Sequence, residues 1–177
     1  MGIGACLEIR IIRSIRNFQD MRHSKVTKRR QIEEDAIYNS RIVTKLINNI
    51  MKDGKKTVAQ AIVYDTFELL AKNDEPLSLF EKAIQNVGPK TEIKARRVGG
   101  ASYQIPLEVR GDRRTALALR WIIEAARAKS NKEFHTFAEK LASEIIDAAQ
   151  NQGEAIKKRD NIHRMADANK AFSHFRF

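Results

Sequence analysis

The chain has a single cysteine, Cys6. That excludes an intramolecular disulfide and any zinc site built from several cysteines. One thiol fits a reducing compartment. No apolar run approaches the roughly 20 residues needed to span a bilayer. Acidic residues are in deficit. Asp and Glu number 22 against 33 Lys and Arg, giving a formal net charge of +11 and a pI near 9.9. An excess of this size favours a phosphate backbone or an anionic surface as partner.

Motifs for chemistry are missing too. His23, His135, His163 and His174 are scattered and match no metal-ligand spacing. His135 stands one helical turn from Glu139, as a surface pair would. Gly54-Lys55-Lys56-Thr57 resembles a phosphate loop only in part. Position 49 is Asn where that motif needs glycine, and Lys56 follows Lys55 where it needs Ser or Thr. No Ser or Cys sits in a nucleophile elbow. No catalytic residue, metal or cofactor is expected, because nothing assembles acid, base and nucleophile roles.

What remains is a helix-forming chain of 177 residues, 42% hydrophobic. That is enough for one core, with no linker dividing it. Met1–Asp20 carries Arg10, Arg13 and Arg16 on an Ile-rich segment too broken for a secretory signal. It reads as an extension, with Met21 a second possible start. Met21–Gln31 is a basic arm without acids, either a tail that folds onto nucleic acid or a solvated terminus.

Apolar residues then recur at helical spacing in five stretches. They run from about Asn39 to Lys52, ended by Gly54; Lys55 to Lys72; Pro76 to Val87; Arg113 to Lys129, capped by Asp112 with Trp121 buried in a central helix; and a fifth helix opened by a capping box at Ser130–Glu133. A sixth helix, Glu154 to Ala171, is dominated by Lys157, Lys158, Arg159, Arg164 and Lys170.

Between the third and fourth helices the pattern changes. Thr91–Val98 and Ala101–Arg110 read as strands around a tight Gly99-Gly100 turn. That register sets Lys94 and Arg96 beside Ile105 and Tyr103. Neither face is clearly apolar, and Pro106 bars a central strand, so the ribbon is not expected to lie flat on the core. Arginine is concentrated here, at Arg96, Arg97, Arg110, Arg113 and Arg114. Guanidinium groups fork onto phosphate and stack on bases, and Tyr103 offers a ring to an unpaired base. Scattered contacts of this kind suit folded RNA better than a DNA groove. A DNA-binding regulator is the alternative. Should the distant clusters converge, they form one phosphate-binding face. The fold class is therefore mainly α: a six-helix bundle with a protruding two-stranded β-ribbon between helices three and four.

Four blocks, in order, resemble the small-subunit ribosomal protein seven family in its bacterial form. They are Asp53–Lys56 (D-G-K-K), Arg96–Pro106 (R-R-V-G-G-A-S-Y-Q-I-P), Arg120–Arg127 (R-W-I-I-E-A-A-R) and His163–Phe172 (H-R-M-A-D-A-N-K-A-F). The resemblance covers Met21–Phe177, which it implies is a single rRNA-binding domain, with residues 1–20 lacking a counterpart. It implies binding to 16S rRNA in the 3′ major domain and nucleation of the subunit head. It places the ribbon near the exit site for tRNA and mRNA, with ribosomal proteins nine and eleven as neighbours and no membrane partner. The implied location is the cytoplasmic small subunit rather than an organelle ribosome.

Carried over by position, the rRNA-binding residues are Arg22, Lys25, Lys28, Arg29, Arg30, Lys55, Lys56, Lys94, Arg96, Arg97, Arg110, Arg113, Arg114, Lys157, Lys158 and Arg159. The exit-site residues are Val98, Gly99, Gly100, Ala101, Ser102 and Tyr103. Two positions depart from the family pattern. Gly88 replaces a common arginine, which implies a lost phosphate contact. Gly111 replaces a common proline, which implies a looser exit from the ribbon.

Overall fold

Each apolar stripe becomes a helix with its stripe turned inward. The structure, a computed structural model, describes residues 31–72, 75–98 and 100–175. The extension, Cys6, the basic residues Arg22, Lys25, Lys28, Arg29 and Arg30, and Gly99 lie outside the described residues. Chain contacts divide into two units, 1–32 and 33–177. Of the first, only Gln31 and Ile32 are described, and both are exposed.

The second unit holds α1 (Arg41–Ile50), α2 (Lys56–Leu70), α3 (Pro76–Val87), β1 (Thr91–Val98), β2 (Ala101–Glu108), α4 (Gly111–Ala128), α5 (Phe137–Ala149) and α6 (Glu154–Ala168). A 3₁₀ segment, Lys170–Phe175, follows. Among the described residues there are thus six α-helices and one antiparallel two-stranded sheet, as the periodicity predicts.

The core is built from helix faces. Leu46 and Ile47 of α1, Phe67 and Leu70 of α2, Phe80 of α3, Leu119 and Ile122 of α4, and Leu141 and Ile145 of α5 are all essentially solvent-free. Rings of Tyr38, Phe67 and Phe80 stack edge-on, with centroids 4.7 and 5.5 Å apart, an arrangement that adds to plain area burial. Asp35 pins the turn before α1 onto α2. Its carboxylate accepts from Tyr64 Oη at 3.0 Å and from the Ile37 and Tyr38 N–H groups. Trp121 is buried as expected. The central position is shared, however, since α3, α4 and α5 each pack against four other helices.

Four predicted helix ends move. The first helix stops at Ile50, ahead of Gly54. Asp53 and Gly54, both at positive φ (53° and 73°), instead form a tight turn closed by Lys55 N–H to Lys52 O at 3.0 Å. Asp112 is not the cap of α4. Arg110 holds the cap position in extended conformation, and Asp112 lies in the first turn.

The capping box of α5 is Thr136–Glu139, not Ser130–Glu133. Thr136 Oγ1 accepts from Glu139 N–H, and Glu139 Oε2 accepts from the N–H groups of Thr136 and His135. Ser130 closes a local turn onto Lys132 N–H. The buried Lys140 ammonium takes Asn131 Oδ1 and the Lys129 carbonyl, so this stretch is held outside the helix. The predicted sixth helix ends early, at Ala168.

A buried ionic joint ties α4, α5 and α6 together. Glu144 is fully buried. Its Oε1 accepts from Ala155 N–H at 3.1 Å, satisfying an orphan donor of α6's first turn. Its Oε2 lies 3.1 Å from Lys129 Nζ, which also reaches Asp147 at 2.7 Å. Removing one partner of a buried pair costs far more than the pair itself is worth. Glu144→Ala should therefore lower unfolding free energy by on the order of 3 kcal/mol, read from urea denaturation. A loss below about 1 kcal/mol, the scale of an exposed pair, would contradict this account.

Candidate nucleic-acid interface

The ribbon follows the predicted register. Val98 pairs with Ala101, Arg97 with Ser102, Arg96 with Tyr103 and Lys94 with Ile105, down to Thr91 with Glu108. Gly100 takes φ +90° in the connection, a conformation in which a Cβ is strained. Because side chains alternate along a strand, Arg96 and Arg97 project from opposite faces. Both are exposed, and neither makes an ion pair among the described residues. The only acids of the two strands, Glu92 and Glu108, sit at the root. The outer ribbon is thus cationic on both faces.

The expectation that the ribbon stands off the core holds for that outer part only. At the root, Ile105 is buried. Ile93 and Ala95 face a groove shared with Leu117, Trp121, Ile162 and Met165. The 3₁₀ segment runs beside β2 and sets Phe172 against Tyr103, ring centroids 5.2 Å apart. Tyr103 is therefore half-buried and braces the ribbon, where the sequence had offered it as an open ring. Gly100, Ala101 and Ser102 are exposed at the far end.

The basic residues gather in clusters. At the ribbon root Lys94, Arg110 and Arg113 line a groove of about 520 Å³ with Glu92 and Glu108. Arg113 Nε donates to Glu92 Oε2 at 2.7 Å, its Nη2 lies 2.7 Å from the same oxygen, and Lys94 Nζ is 3.5 Å from Oε1. Arg110 is exposed and has no ion-pair partner among the described residues. At the other cluster, Lys52, Lys55 and Arg127 rim an apolar groove of about 300 Å³ floored by Ile50, Met51, Val58, Ala59, Ile62 and Phe137. Lys55 and Lys56 are exposed there at the start of α2, which has no side-chain cap, so first-turn N–H groups add to the positive field. On α6, Lys157 pairs with Glu154 at 2.6 Å. Lys158 pairs with Glu124 and sits 5.9 Å from the Trp121 ring centre.

Two residues carried over as rRNA contacts are held by the protein itself. Arg114 donates to the carbonyls of Gly88 (3.0 Å) and Gln85 (3.1 Å). Arg159 donates to that of Asn86 at 2.5 Å and pairs with Asp160. They close the carbonyl end of α3, whose last C=O groups lack helical partners. Gly88 permits this: a Cβ there would stand 2.7 Å from Arg114 Nε. Gly111 is simply the first residue of α4, with open space around it. Sequence reasoning missed Glu92, His163 and Arg127. His163 lay inside a quoted motif, but its role depends on Lys90, 73 residues away.

Among the described residues no group of three His, Cys, Asp or Glu could hold a metal, and no helix is long and apolar enough to cross a membrane. An exposed arginine ribbon on a basic helical body, with cations at its root, is the kind of surface a polyanion suits. Comparison with known proteins gives the family. Residues 21–170 match the model of ribosomal protein S7p/S5e. A Beijerinckia indica protein is 51% identical over 158 residues, 88% of this chain and 98% of its own length. One from Lactobacillus delbrueckii subsp. bulgaricus is 50% identical over 84% of this chain and 95% of its own. One from Clostridium novyi is 52% identical over 85% and 96%. Each is called small ribosomal subunit protein uS7. The chain belongs to the ribosomal protein S7 family, and is a ribosomal protein rather than an enzyme.

One joint at this interface titrates. His163 Nε2 accepts the Lys90 N–H at 3.1 Å, which requires the neutral ring. Burial, and next the nearby Arg159, hold its pKa below the usual 6.5. The unfolded chain then binds a proton more readily than the folded one. This stabilisation is complete above about pH 6.5 and is lost as pH falls from there through the lower folded-state pKa. Melting temperatures of native chain and His163→Gln should differ by a constant amount above neutrality. Below about pH 6.5 the native chain should lose stability relative to the variant. Parallel curves down to pH 5 would refute the linkage.

Proposed function

We propose that this chain is a structural protein of the small ribosomal subunit that binds 16S rRNA of the 3′ major domain directly and nucleates assembly of the head. Residues 21–177 act as one rRNA-binding domain, and residues 1–20 as an added extension. The family match from residue 21 supports that division. Ribosomal proteins nine and eleven are its neighbours. The ribbon end, Val98–Tyr103, lies near the exit site for tRNA and mRNA. The observation that carries the reading is the outer ribbon, where Arg96 and Arg97 are exposed and form no ion pair among the described residues. Guanidinium groups so placed hold no part of the fold together, and phosphate is the ligand they suit. Lys55, Lys56, Lys94, Arg110 and Arg113 extend the contact along the body, and Lys157 and Lys158 along α6.

Binding through many phosphates releases counterions, so affinity falls steeply with salt. Arg96→Ala with Arg97→Ala should weaken binding to a 16S 3′ major domain transcript. The slope of log K against log salt should become shallower by about 2, one unit per lost phosphate contact. An unchanged slope would remove the ribbon from the interface. Duplex DNA competing as well as the transcript would end the ribosomal RNA reading.

A further inference from the structure

We propose that Glu92 is a positioning residue for RNA binding, an acid whose grip on Arg113 and Lys94 raises the affinity of the ribbon root for a polyanion. The inference rests on the ribosomal RNA reading above. Glu92 projects from β1 into the groove between the ribbon and the first turn of α4. Its side chain is 13% exposed, whereas those of Lys94 and Arg113 are 55% and 53% exposed. The Glu92 charge thus lies behind Lys94 and Arg113, while Glu108, which also lines the groove, is exposed.

Arg113 spends its Nε edge on Glu92. Its Nη1 donors have no partner among the described residues and are left to fork onto a phosphate oxygen. Lys94 is drawn to the other carboxylate oxygen from the same strand as Glu92. One carboxylate therefore fixes the spacing between a cation of α4 and a cation of the ribbon, which are 19 residues apart in sequence. Held in place beforehand, the two side chains lose less rotamer freedom when RNA arrives. Arg113 also stands in the first helical turn, where the α4 dipole favours an anion.

The proposal opposes simple charge counting, which makes it decidable. Glu92→Gln keeps the shape and adds one positive charge to the groove. Charge counting predicts tighter RNA binding with a steeper salt slope. Positioning predicts weaker binding, by about tenfold at physiological salt, the scale of one lost charge-assisted contact. The test is a filter-binding titration of the full chain against the 3′ major domain transcript, in the native and Arg113→Ala backgrounds. Melting temperature should be recorded for each variant.

Glu92→Gln should weaken binding in the native background and leave it unchanged or tighter in the Arg113→Ala background, where nothing remains to be positioned. Glu92→Asp keeps the carboxylate and should recover part of the loss. It also serves as the test variant if the Gln variant folds poorly. Equal or tighter binding by Glu92→Gln in the native background overturns the proposal, as does an equal loss in both backgrounds. Failure of the native chain itself to bind the transcript would remove the rRNA reading, and this inference with it.

Discussion

A helix cannot hand its chain to a ribbon while its last carbonyls point at nothing. The end of α3 meets that constraint with side chains from two other helices. Arg114 of α4 covers Gln85 and Gly88, and Arg159 of α6 covers Asn86. His163 then receives the Lys90 N–H one step before β1 begins. These bonds fix where the ribbon leaves the body and bind α3, α4 and α6 to one another at the same point. Gly88 belongs to this joint, since any Cβ would enter the space of the Arg114 side chain. In this chain the position supports a guanidinium from the neighbouring helix in place of supplying one.

The positive charge of the protein thereby divides by physical role. Arg114 and Arg159 are drawn inward by carbonyl dipoles. Lys129 and Lys140 are drawn into the α4–α5 connection by Glu144, Asp147, Asn131 and a backbone carbonyl. Arg96, Arg97, Arg110, Lys55 and Lys56 have no such partners among the described residues and stay in water. Repulsion between exposed like charges is weak there, about 1 kcal/mol even at 4 Å. The fold tolerates them at little cost.

Much of this was legible in the sequence. Apolar stripes at helical spacing gave five of the six helices, and Gly99-Gly100 between two short extended runs gave the ribbon and its register. Which arginines the fold itself holds was not legible. Arg97 and Arg114 look alike as letters. What separates them is a pair of carbonyls 26 and 29 residues upstream that only the folded chain brings near. Helix ends failed for a related reason. Both S-N-K-E at Ser130 and T-F-A-E at Thr136 fit a capping box. The choice was made by Lys140, a buried ammonium that uses Asn131 and the Lys129 carbonyl for itself. The packing of Tyr103 on Phe172 was not legible, because Phe172 comes from a segment 69 residues away with no periodic signal.

Isolated hairpins are marginal in water, and ordering a mobile arm on RNA would draw on binding free energy. The root of this ribbon avoids that loss. Ile105 is buried, Tyr103 leans on Phe172, and Glu92 clamps the strand to α4 through Arg113. Opposite Tyr103 and one step beyond it, Arg96 and Arg97 are exposed and project from opposite faces. A ribbon fixed at its base and cationic on both sides further out can be gripped by RNA from either face without repacking the protein. The rigid base sets where the arginines reach, and under the proposed reading phosphate geometry decides how they close.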